Sequence, residues 1–171
     1  MPAQSRRPWL RIAVIAAVAA VLPLAAASAA PAPAPQDETI ELTAQRGVLS
    51  LPAAPAVGVP FLGGGDLLDA AGKKAGEGYS SCLIAKLALP AELTAYCTSA
   101  YRLEKGEIHL SSLRTYTLLP GPTFKDGPMA VTGGTGAYKS ARGEAKTVKQ
   151  GGDPLDPAKP VSYKFTITLS A

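Results

Sequence analysis

Near the end of the chain, the segment VSYKFTITLS alternates without a break. Val161, Tyr163, Phe165, Ile167 and Leu169 are apolar, and Ser162, Lys164, Thr166, Thr168 and Ser170 between them are polar. A period of two is the pattern of a strand with one buried and one solvated face. The same reading applies to TIELTA from Thr39, CLIAKLAL from Cys82, LTAYCTSAYRL from Leu93, EIHLSSLRTYTLL from Glu107, MAVTG from Met129 and AYKSARGEAKTV from Ala137. After the first 29 residues no segment sustains a helical period. The links between segments are short and rich in Gly and Pro. EKG, ending at Gly106, reads as a three-residue turn whose glycine suits a bulged hairpin.

About seven or eight strands in chain order with hairpin-length links predict an antiparallel meander. At that count the sheet can close into a barrel, which removes its exposed edges. A barrel of about eight strands has room for packed side chains or one small ligand. Ala141, Gly143, Ala145 and Thr147 give one strand an unusually small face, which predicts close approach of a neighbour.

The stretch VTGGTGAYKSARGEA, Val131 to Ala145, has the glycines and the Lys-Ser pair of a phosphate loop but not the spacing. Tyr138 precedes Lys139 where a Walker loop has glycine. The dinucleotide fingerprint fails at Lys139, where close helix packing needs a small residue. A structural turn is what remains.

Residues 1–29 begin with Arg6, Arg7 and Arg11, continue through the apolar run Ile12 to Ala27, and end with small residues suited to signal cleavage near Ala29. The run is shorter than the roughly 20 strongly apolar residues of a spanning helix. A cleaved signal peptide and a secreted protein are expected, with no permanent membrane anchor. SRRPWLR resembles a twin-arginine export signal, and an ordinary secretory leader is the other reading. Residues 30–38 then form a Pro/Ala-rich linker, and the folded domain spans 39–171.

Three of the 17 basic residues fall in that leader, which leaves 14 against 13 acidic residues, a net charge of +1. So even a balance predicts no nucleic-acid partner. Cys82 and Cys97 are the two cysteines. In an exported chain an even count favours a disulfide, and a hairpin turning near Leu89 and Pro90 sets the two opposite each other. Two buried thiols are the alternative.

Catalytic constellations are few. There is one histidine, His109, no G-x-S-x-G elbow and no C-x-x-C. A single histidine makes no metal site, so neither metal nor cofactor is expected.

AVTGGTGAYKSARGEAK resembles the TGG-G-(Y/F)-(G/A)-G turn-and-strand motif of plant allene oxide cyclases and dirigent proteins. Upstream, VGVPFLGGGDLLDAAGKKAGEGYSSC is similar to that group's Val-Pro-Phe, hydrophobic-pair and Lys-rich stretch leading into a strand cysteine. GEIHLSSL and SYKFTITL follow in the same order, so the likeness covers residues 39–171. It implies an all-β, eight-stranded antiparallel barrel, lipocalin-like in shape, with an apolar cavity and often assembled as a homo-oligomer. It also implies that the GGTG glycines serve a turn or bulge.

For function the resemblance implies a barrel that binds a small apolar molecule and steers its cyclisation or isomerisation. The plant cyclases use a first-strand glutamate and an asparagine two residues on; Glu41 and Thr43 occupy those places here, with threonine replacing asparagine. Alternation adds a condition: if Ile40, Leu42 and Ala44 face the interior, Glu41 points to solvent. Asp66 and Arg142 are weaker candidates, by likeness to the Asp and Arg of some dirigent pockets. Tyr163, Phe165 and Ile167 line either a cavity or a filled core. A lipocalin-like carrier and a structural module with a filled barrel therefore stay open beside the cyclase.

Overall fold

In the computed structural model, which describes residues 37–88 and 90–170, strands follow one another by short turns. They are β1 (Glu38–Leu49), β2 (Pro60–Leu68), β3 (Lys74–Ala88), β4 (Glu92–Leu103), β5 (Gly106–Thr117), β6 (Thr123–Phe124), β7 (Gly127–Gly134), β8 (Gly143–Gly151) and β9 (Ser162–Leu169), with a short 3₁₀ turn at Gly136–Tyr138. Every pairing is antiparallel. The sheet runs β4-β3-β2-β1-β9-β8-β7-β5, and β4 pairs with β5 to close it. Eight strands thus make the barrel, as expected. The two residues of β6 form a strap on the end of β5, Phe124 opposite Tyr116 and Thr123 opposite Thr117.

The leader 1–29, most of the 30–38 linker and Leu89 of the β3–β4 turn lie outside the described residues. Among those described, no helix is long and apolar enough to cross a membrane.

The alternation of β9 sets its orientation. Val161, Tyr163, Phe165, Ile167 and Leu169 are all buried, and the residues between them are half-buried on the outer face. Leu42 of β1 is buried on the same side.

Three stretches differ from the periodicity reading. PFLGGGDLL is a barrel strand, β2, although its three glycines carry no apolar period. A β-carbon on Gly64 would overlap the Gly78 carbonyl and the Tyr79 ring, so glycine here permits the β2–β3 approach. The strand expected from Ala137 begins only at Gly143; before it, Gly136 at φ +58° turns the chain, and Tyr138 folds inward to 8 % exposure. Ala141 is buried in this turn, so of the small face only Gly143, Ala145 and Thr147 lie on the strand. The EKG turn is one residue tighter than expected, since Leu103 pairs with Gly106 and only Glu104 and Lys105 form the loop.

The GGTG motif does serve a bulge and a turn. The register of β5 against β7 shifts between His109 and Leu110, opposite Gly133 and Val131. Cys82 and Cys97 are paired directly across β3 and β4 and are joined by a disulfide.

Two apolar clusters pack inside the barrel. One joins Leu42, Ile108, Leu110, Val131, Phe165 and Ile167, and the other gathers Phe61, Ile84, Leu93 and Tyr116 around the disulfide. Phe124, on the strap, packs against both.

Candidate functional site in the barrel interior

Between the two clusters the interior is polar at one level. Alternation along β5 points Ile108, Leu110, Ser112, Arg114 and Tyr116 the same way, and Arg114 is only 6 % exposed. Its Nε donates to Ser112 Oγ (3.1 Å), Nη1 to Ser80 Oγ (3.0 Å), and Nη2 to Ser99 Oγ (2.6 Å) and Met129 Sδ (3.4 Å). Ser80 and Ser99 face each other across β3 and β4, with 2.8 Å between their hydroxyl oxygens. The guanidinium also lies 5.3 Å from the centroid of the Phe124 ring. Among the described residues no ion pair includes Arg114. Burying a charge costs several kcal/mol, and hydroxyl partners offset that without neutralising it.

Beside Arg114 is a cavity of about 70 Å³ whose walls include Tyr101, Tyr116, Phe124, Tyr163 and Phe165. The rings fix one another. Tyr101 meets Phe165 edge to face (5.2 Å), Tyr116 meets Phe124 (5.9 Å), and Phe124 stacks on Tyr163 (3.8 Å). Glycine widens one wall, because a β-carbon on Gly78 would collide with the Tyr101 ring. Burial raises the Tyr101 and Tyr116 hydroxyls above the usual tyrosine range and pushes Tyr163 up to about 12. All three are therefore neutral near pH 7. The Tyr116 hydroxyl sits 3.7 Å from Cys82 Sγ and 3.9 Å from Cys97 Sγ.

The strap covers one side of this cavity. The backbone N–H of Phe124 donates to Tyr163 Oη (2.9 Å), Arg46 Nη1 donates to the Pro122 carbonyl, and Lys125 N donates to the Thr115 carbonyl (2.8 Å). Arg46 stands where the cavity meets an open groove whose lining includes Asp66, Asp153 and Asp156. No Asp or Glu lines the cavity itself.

Of the residues proposed from sequence, Tyr163 and Phe165 line the cavity, while Ile167 is fully buried in the core beyond it. The other candidates lie elsewhere. Glu41 is on the outer face, where its carboxylate pairs with Lys164 at 2.8 Å, and Thr43 shares with it a shallow outer groove. The condition read from alternation is met, since Leu42 points in and Glu41 out. Asp66 pairs with Lys74 (2.8 Å) on the surface. Arg142 is exposed and donates to the Ala141 carbonyl (2.7 Å). His109 is half-exposed, its Nε2 3.4 Å from Glu107. Among the described residues no group of three or more His, Cys, Asp or Glu side chains could hold a metal.

Arg114 is the residue the sequence reading missed. Its signal was available: in EIHLSSLRTY the face of Ile108, Leu110 and Tyr116 also carries Ser112 and Arg114. A basic residue on a buried face needs a reason.

No family model and no curated protein matches the chain. Solved structures do. The chain is similar to a pyocyanin demethylase (TM-score 0.56, 23% identity, covering 78% of this chain and 100% of that one). It is also similar to a pterocarpan synthase dirigent protein (TM-score 0.52, 15% identity, 78% and 94% covered). A third likeness is to a heme-binding cyclase that catalyses a 4 + 2 cycloaddition in neoabyssomicin biosynthesis (TM-score 0.53, 15% identity, 80% and 65% covered). Structural likeness at these identities shows the fold alone. The chain has the closed barrel of the dirigent and allene oxide cyclase group, in agreement with its glycine motif and strand order.

Proposed function

We propose that the barrel interior binds a small, flat, largely apolar molecule and steers its ring closure or isomerisation. The observation that carries this reading is the ring of five aromatic side chains around one buried guanidinium. Walls of this kind hold a flexible or reactive ligand in one conformer, and proximity of its reacting atoms does the rest. Arg114 supplies a fixed positive charge in a site of low polarity, where stabilisation of negative charge developing on oxygen is strongest. Solved barrels of this fold include a cyclase and a pterocarpan synthase, which makes ring-forming chemistry the natural class to test first.

The cavity of about 70 Å³ is smaller than the roughly 300–1,000 Å³ of typical small-molecule sites. Phe124 is part of the wall that limits it. A ligand enters by displacing the strap, and its own ring takes the place of Phe124 between Tyr163 and Arg114.

A thermal-shift and calorimetric screen of the purified protein against flat apolar compounds tests the reading. Saturable binding that is lost when Tyr163→Trp fills the cavity supports it. Absence of any binding leaves a structural module with a filled barrel. Binding with no turnover of conjugated, cyclisable compounds leaves a carrier.

We propose further that the protein acts after export, with the leader removed near Ala29, and that it assembles as a dimer or trimer. Charge and chain pattern in residues 1–29 support the first, and intact mass of exported protein tests it. Exposed apolar side chains on the outer face of β2 to β5 support the second.

A further inference from the structure

We propose that the molecule bound inside the barrel carries an oxyanion, a carboxylate or an acidic enol or phenol, that pairs with Arg114. The inference rests on the binding reading above and narrows it from flat apolar molecules to flat apolar acids.

Charge balance in the interior leads to it. Arg114 is 94 % removed from solvent, and its hydrogen-bond partners are three serine hydroxyls and a thioether, none of which bears charge. A guanidinium has five N–H donors. Four are taken in these contacts, which leaves one on Nη1 for a further acceptor. The serines act as a cradle: Ser80 and Ser99 hold the two Nη atoms from neighbouring strands, so the fork is oriented before any ligand arrives. A guanidinium held in place with one N–H still free suits an oxyanion, one oxygen of which accepts that charge-assisted hydrogen bond.

The remainder of the cavity agrees in sign. Its second charged residue is Arg46 at the rim, also without an ion pair among the described residues, and no acidic side chain lines it. Arg46 borders the groove with Asp66, Asp153 and Asp156, whereas Arg114 has no such neighbours in the lining. The deep guanidinium is therefore the one whose charge is left for a ligand. In the closed barrel the face of the Phe124 ring covers it. An aromatic acid would replace both features at once, its ring stacking on Tyr163 and one of its oxygens reaching the free Nη1 N–H.

The experiment is a charge series on one frame: naphthoate, naphthamide and naphthylmethylammonium, titrated calorimetrically into the purified protein at neutral pH and low salt. Naphthoate should bind at least about tenfold more tightly than naphthamide, and the ammonium weakest. Arg114→Gln should erase the preference while naphthamide binding persists. Equal affinity for naphthoate and naphthamide in the unaltered protein overturns the proposal and leaves the apolar reading standing. Failure of all three to bind removes both. A preference that survives Arg114→Gln and disappears in Arg46→Gln also overturns it, since the rim would then hold the anion. Should Arg114→Gln not fold, Arg114→Lys keeps the charge but loses the fork, and naphthoate affinity should fall severalfold in it. A crystal structure with naphthoate then decides by where the carboxylate lies.

Discussion

Phe124 lies flat against Tyr163, with 3.8 Å between ring centroids and 8° between planes, and its backbone N–H donates to the Tyr163 hydroxyl at 2.9 Å. One residue of a two-residue strap is thus held by both the face and the edge of one tyrosine on the opposite wall. The contact ties β6 to β9 although the two are not paired in the sheet. It also sets what the interior can accept, because the same ring rests over Arg114 and edge-on to Tyr116.

Phe124→Ala should open the cavity without unfolding the barrel. Phe124 is half-buried, so the loss should stay below the roughly 3–5 kcal/mol typical of a fully buried Phe→Ala change. Naphthamide should bind more tightly to this variant, since no side chain must leave first. Thermal unfolding and calorimetry read the two effects separately. Weaker binding would mean that Phe124 is part of the ligand's own wall.

Reducing the Cys82–Cys97 bond should lower stability by ~3 kcal/mol, the entropy of closing a loop of this length in the unfolded chain. The sequence separation is 15 residues. In a chain of this size that corresponds to a fall in Tm of roughly 10 °C. Unfolding with and without reductant measures it, with free-thiol labelling to establish the redox state. Tyr116, whose hydroxyl lies against both sulfurs, should become more accessible in the reduced form.

Much of this barrel could be read from residue order, for reasons specific to each segment. β9 was legible because one face is packed and the other wet, so the chemistry alternates residue by residue. β2 was not, because Gly64 and Gly65 meet a need for close backbone approach, which leaves no apolar trace. The turn at Gly136 was hidden by Tyr138, whose inward fold is dictated by packing at the barrel end. Site residues divide the same way. Tyr163 and Phe165 follow from alternation alone, and so does the outward aim of Glu41. Arg114 shares the face of Ile108 and Leu110 in the sequence, but the reason for an arginine there is visible only once Ser80 and Ser99 come within hydrogen-bond reach.

Alkaline pH should destabilise the protein steeply. Tyr101, Tyr116 and Tyr163 all titrate higher in the fold than in the unfolded chain, burial being the first cause in each. Above the ordinary tyrosine value of about 10 the unfolded state has released these protons and the folded state still holds them. Stability is therefore full below about pH 10 and falls as pH rises toward 12 and beyond. Thermal melts across this range, followed in parallel by tyrosinate absorbance, should show ionisation coinciding with unfolding. Ionisation of all tyrosines well before unfolding would contradict the buried placement of these three.

The outer face of β2 to β5 makes the last prediction. Leu62 is 55 % exposed, Leu83 48 %, Tyr96 50 % and Leu113 68 %. Register sets Leu83 beside Tyr96 and Tyr96 beside Leu113, so three strands contribute adjacent apolar side chains to one outward row. Scattered exposed leucines need no explanation, but a contiguous row on a barrel wall is expected to be covered by another protein. A second copy of this chain is the simplest occupant, because a symmetric or cyclic assembly buries the same row on each subunit. Sedimentation velocity should show one species heavier than the monomer, and Leu113→Lys should shift it toward monomer while leaving the disulfide and the cooperative melt intact. A monomer in the unaltered protein would assign the row to a different partner.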